Sequence, residues 1–129
     1  MIFLDTSAIY AMADKSDPNH SAACEKFDLA LEEEERFVSH NYVLVESVAL
    51  IQSRLGLQVA LKFLEEAKVF EIEWVDEGLH EEARGELEKI GKRQVSFVDC
   101  LSFLVMKRKG IETALAFDPD FAEQGFSLC

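Results

Sequence analysis

The chain has 129 residues, 49% of them hydrophobic and ten of them Phe, with only six Gly and two Pro. This composition excludes a disordered chain and suits one ordered domain, residues 1–129, with a substantial core. The 25 acids and 13 bases leave a formal net charge of −12, which argues against nonspecific nucleic-acid binding through a basic surface and favours basic partners or divalent cations.

The first predicted strand, 2–4, runs straight into Asp5-Thr6-Ser7 and then an apolar-patterned helical stretch. Asp17-Pro18 announces a helix over 19–31, which the Glu32-Glu33-Glu34-Glu35 run closes as a solvated end. A second strand is predicted at 36–39. Helices follow at 41–55, closed by Gly56, and at 57–67. After a strand at 69–75 come helices at 78–90 and 97–109, the latter stopped by Gly110. Strands at 114–117 and 126–128 complete the chain. Alternating strands and helices with connections this long predict an α/β fold with a central, mainly parallel five-stranded sheet covered by helices on both faces. No repeat, linker or composition break marks a second domain.

Cys24, Cys100 and Cys129 form no CxxC pair, so neither a disulfide framework nor a zinc–thiolate site is expected, and a reducing cytoplasm is the simplest location. Cys24 and Cys100 fall in helical apolar patterns and are expected in the core. No apolar run approaches a transmembrane helix, and the short apolar start lacks a basic flank, so no membrane association is expected.

In open parallel sheets, ligands bind beyond the carboxyl ends of the strands. Asp5 ends the first strand and Asp118 follows LAF in the fourth, which puts two acids at one sheet edge. Glu46 lies on the apolar face of its predicted helix, and Asp99 is in the first turn of a helix that is apolar nearly all round. No basic residue occurs within four positions of Asp5, Glu46 or Asp99. A shared cation would relieve the cost of burying them. Oxygen-only ligands favour Mg²⁺ or Mn²⁺ over zinc. Each acid also has a structural reading: Asp5 as a helix cap, Asp99 in a capping box with Ser96, Asp118-Pro119 as a turn, and Glu46 extending to water.

Divalent ions held by carboxylates suit in-line attack on a phosphodiester. Lys92-Arg93 and Lys107-Arg108-Lys109 are candidates for guiding the substrate backbone, or solvated helix ends. His20, His40 and His80 form no H-E-x-x-H pattern, and no GxGxxG or P-loop is present.

At FLDTSAIYAMAD, DPNHSAACEKF, YVLVESVALI, SFVDCLSF and LAFDPDFAEQGF the sequence resembles the PIN-domain family, and within it the VapC-like toxins of prokaryotic toxin–antitoxin pairs. The resemblance implies a three-layer α/β/α sandwich and a metal-dependent endoribonuclease, typically homodimeric and inhibited by a cognate antitoxin. By position it places the acidic site on Asp5, Glu46, Asp99 and Asp118, with Asp120 as an outer ligand or turn cap and Ser7 as a supporting hydroxyl or cap. An antitoxin would place an arginine or basic tail in the negative pocket. Two alternatives stand beside this reading. One is a haloacid-dehalogenase-like phosphatase, which would carry a second Asp where this chain has Ser7. The other is a noncatalytic PIN-fold module that docks a basic partner.

Overall fold

Every pairing in the central sheet is parallel, and the strand order is β3-β2-β1-β4-β5. The computed structural model describes residues 1–129. In chain order the elements are β1 (Ile2–Leu4), α1 (Thr6–Ala13), α2 (His20–Glu32), β2 (Phe37–His40), α3 (Asn41–Leu55), α4 (Leu57–Glu66), β3 (Glu71–Glu73), α5 (Glu77–Ile90), α6 (Phe97–Lys109), β4 (Thr113–Leu115), α7 (Asp120–Glu123) and β5 (Ser127–Leu128). The chain steps from β1 through β2 to β3, then crosses back over β1 to β4 and β5. The connections therefore diverge between β1 and β4. That divergence is the switch point at which open α/β sheets bind ligands.

Helix α1 packs on α2 and α3, and α3 on α4, while α5 packs on α6. Two helical layers thus enclose the sheet in a three-layer α/β/α sandwich. The core is one cluster of 26 buried side chains. Phe3, whose neighbours Ile2 and Leu4 point to the opposite face, meets Phe121 of α7 at 6.2 Å between ring centroids, and Phe121 meets Phe103 of α6 edge-on at 5.1 Å. This stack seats α6 and α7 over β1. Helix α6 is buried from Asp99 to Met106, as its near-continuous apolar sequence requires. Gly110, at φ +67°, ends it.

Several strands are shorter than the apolar runs suggest. Residues 67–69 form a 3-10 turn, and Val75 N–H donates to Asn41 Oδ1 at 2.6 Å, so β3 retains only Glu71–Glu73. β4 stops at Leu115 because Phe117 N–H donates to Ser7 Oγ at 2.9 Å. Cys24 is half-buried beside the His20 ring rather than in the core, whereas Cys100 is fully buried.

The acidic run that closes α2 is exposed, and Glu34 holds φ +59°. A residue with a Cβ is strained there, and the helix dipole disfavours acids at this end. Glu34→Gly is expected to stabilise the protein by about 0.5–1 kcal/mol, read as a higher urea midpoint at unchanged slope. An unchanged or lower midpoint would contradict this account of the turn.

Candidate active site

The divergence of the chain between β1 and β4 opens the carboxyl edge of the sheet, and the acids collect there. Asp5, the residue after β1, is the N-cap of α1: its Oδ2 accepts from Ser7 N–H at 3.1 Å and from Ser7 Oγ–H at 2.6 Å. Because Ser7 Oγ also accepts from Phe117 N–H, one hydroxyl ties the β1 exit to the β4 exit. Asp118 follows β4, and its Oδ1 accepts from Asp120 N–H at 2.9 Å. Asp120 opens α7.

The Ser96–Asp99 capping box forms as the spacing predicts. Ser96 Oγ accepts from Asp99 N–H and Asp99 Oδ2 accepts from Ser96 N–H, each at 3.0 Å. The box orients the carboxylate and leaves Oδ1 without a hydrogen bond. Capping and cation binding are therefore compatible in one residue.

Asp99, Asp118 and Asp120 each present a carboxylate oxygen so that the three atoms lie within 4.8 Å of one another. Asp99 and Asp120 are buried, at 8% and 5% exposure, while Asp118 is half-buried. Asp5 is buried at 5% exposure and stands outside that tight trio, as does half-buried Glu46 on α3. Their charges nonetheless reach it. Burial pushes the Asp5 carboxyl up to about 6, against the Ser7 hydrogen bonds and with repulsion from Asp99 and Asp118. Asp99 is raised by burial and by the charges of Asp120 and Glu46, and Asp120 by burial and by Asp118. A cluster of mutually repelling carboxylates, built from oxygen donors alone, fits a hard divalent cation. The Thr6 and Ser47 hydroxyls, next to Asp5 and Glu46, are buried without a partner, polar capacity that water can satisfy.

The basic clusters separate. Lys92 pairs with Glu123 at 3.4 Å across α7, and its charge acts on Asp120. Lys107–Lys109 occupies the far end of α6, about 15 Å along the helix from Asp99 at ~1.5 Å per residue. There Arg108 pairs with Glu82 and Lys109 with Glu73. Of these two clusters, Lys92 is the base that the structure places beside the acids.

Two features escape the sequence pattern. Asp120 stands with Asp99 and Asp118 in the tight trio of carboxylates, and the D-x-D spacing after a strand is its only sequence signal. His40, buried at the end of β2, caps α3: Val43 N–H donates to its Nδ1 at 3.2 Å, and Nε2–H donates to Ser102 Oγ at 2.9 Å. Burial lowers its pKa to about 4, so it is a neutral structural group.

The sheet order, the two helical layers and the acids at the switch point define a PIN domain, and the chain belongs to the PIN-domain family, which it matches over residues 2–127. It is 37% identical over 128 residues to the 23S rRNA-specific endonuclease VapC20 of Mycobacterium tuberculosis, covering 98% of this chain and 95% of that one. The crystal structure of that protein, described as a sarcin–ricin loop cleaving toxin, superposes with a TM-score of 0.86 at 33% identity, over 98% of this chain and 96% of the other. FitAcB from Neisseria gonorrhoeae shares the fold at 19% identity and a TM-score of 0.67, over 99% and 96% of the two chains. Family membership, together with Ser7 where a dehalogenase-like enzyme needs its second Asp, sets the phosphatase alternative aside.

Proposed function

We propose that this protein is a metal-dependent endoribonuclease, the toxin of a toxin–antitoxin pair, acting on a structured RNA loop of the kind its VapC20 relative cleaves. The observation that carries this reading is the Asp99–Asp118–Asp120 trio at the sheet's switch point. Asp99, Asp118 and Asp120 would hold Mg²⁺ or Mn²⁺, with Glu46 and Asp5 supplying further negative charge. Such a cation supplies positive charge that activates water and stabilises the leaving oxygen of a phosphodiester.

The chain's own residues do the rest. The capping box fixes the Asp99 carboxylate, and Ser7 fixes Asp5 while holding the two strand exits together. The first turn of α6 sets Asp99 where the helix dipole favours negative charge. Lys92, whose charge reaches Asp120, would meet a phosphate backbone approaching the acids, with Arg93 next to it in sequence.

For partners, the acidic pocket and overall charge favour a basic antitoxin segment. The apolar cleft at the sheet edge, about 340 Å³ and lined by Leu44, Leu64, Phe70, Ile72 and Trp74, supports contact with another chain. Trp74 is 71% exposed. A homodimer is proposed from the family resemblance.

Mapping of cut sites on ribosomal RNA tests the reading. The protein is expected to cut 23S rRNA within one loop and to leave a generic phosphomonoester intact. Hydrolysis of the monoester with no RNA cleavage would overturn it.

A further inference from the structure

We infer that Tyr42, His80 and Phe97 form a binding site for one unpaired nucleobase beside the scissile phosphate. This inference rests on the nuclease reading for the identity of the ligand, and on separate residues for its geometry.

The three rings come from α3, α5 and α6 and converge at one place. Centroid distances are 5.8 Å between Tyr42 and His80, 4.9 Å between His80 and Phe97, and 6.1 Å between Tyr42 and Phe97. Two of the three rings, Tyr42 and Phe97, stand on helices that also carry a candidate site acid. Tyr42 stands one turn before Glu46 on the same face of α3, and the Glu46 charge in turn acts on Asp99. A base held against Tyr42 is therefore placed on the Glu46 side of the acids.

Tyr42 and Phe97 pack on the margin of the core rather than within it. Phe3, Phe103 and Phe121 are buried, whereas Tyr42, His80 and Phe97 are all half-buried. Hydrogen bonding separates the cluster further. Tyr42 Oη and His80 Nδ1 are 2.7 Å apart, which fixes the imidazole, while Nε2 has no partner in the protein and is not sealed from solvent. The site thus offers aromatic faces for stacking and one ring nitrogen for a base edge.

Charge gives the reason such a site is needed. Nuclease affinity ordinarily draws on phosphate contacts, yet this chain carries −12 and seven of its 13 bases are paired with acids. A neutral base stacked on rings adds affinity with no charge cost beside the acids. It also adds discrimination, since only a base extruded from a loop can reach the rings.

The test uses full-length protein and a synthetic sarcin–ricin stem-loop RNA carrying single abasic substitutions near the cut. Phe97→Leu and His80→Ala are expected to lower kcat/KM about 5- to 100-fold, the range that base–aromatic stacking spans, and Phe97→Tyr to recover most of it. An abasic site at one position should cost the wild type as much and cost Phe97→Leu nothing further. Losses that add independently at every position, or ring variants that cut like wild type, would overturn the inference. A second arm does not depend on cleavage. Asp99→Asn protein should quench 2-aminopurine at that same position, and adding His80→Ala should abolish the quench. Quenching without cleavage by wild type would support the base site while sinking the nuclease reading. No quench at any position would overturn the base site alone.

Discussion

Asp118→Asn and Asp120→Asn are each expected to lower RNA cleavage by about 10²-fold or more, the scale on which removal of a single electrostatic stabiliser acts. They should also weaken Mn²⁺ binding. The two should be comparably severe, because both residues belong to the trio whose oxygens lie within 4.8 Å. An outer ligand at Asp120 would instead give the milder effect of about 10- to 100-fold. The amide in Asp118→Asn preserves the Oδ1 acceptor for Asp120 N–H, so the local turn should survive. Relief of repulsion should raise the melting temperature of the metal-free protein. Glu65→Gln, exposed on α4 and paired with Lys68, is the control and should cut normally. A fall in both cleavage and metal-free stability would show instead that the substitution had damaged the fold.

Asp5→Asn is expected to stabilise the metal-free protein near pH 7.5 and to lose that advantage near pH 4. The sign follows from linkage. Burial pushes the folded carboxyl up to about 6 from the ordinary 3.8, so the folded state binds the proton more tightly, and ionised Asp5 destabilises the fold increasingly as pH rises through that window. The full effect corresponds to about 3 kcal/mol at ~1.4 kcal/mol per unit. His40 opposes it in the same range. Its folded pKa of about 4 lies below the ordinary 6.5, so its contribution is lost as pH falls from 6.5 towards 4. The pH profile of the wild type alone therefore mixes two signs, and the difference between wild type and Asp5→Asn isolates the carboxyl. Urea unfolding in EDTA at several pH values gives that difference. A constant difference across pH would contradict the burial account of Asp5.

Much of the architecture was legible in the sequence because local signals agreed with the global pattern. Helix α3 spans the range that Gly56 delimits, and α6 lies between the Ser96 cap and Gly110. Strand ends were less legible because they depend on neighbours. Nothing local in LAFDPD says that Phe117 N–H will turn to Ser7, 110 residues away, or that Val75 N–H will leave the sheet for Asn41. The candidate site divides the same way. The strand-then-acid pattern marks Asp5 and Asp118, but the arrangement of the trio depends on how α6 and α7 meet over the switch point. The Tyr42–His80 contact likewise joins residues 38 apart with no periodicity to reveal it.

The acidic edge of this PIN domain is proposed to hydrolyse RNA with a divalent cation. The most direct test is cleavage of the stem-loop RNA by purified protein in Mg²⁺, Mn²⁺ and EDTA, with Asp99→Asn purified identically alongside. The account predicts cutting in Mg²⁺ or Mn²⁺, none in EDTA, and loss in the variant. Equal cutting by both proteins, or cutting that persists in EDTA, would contradict it.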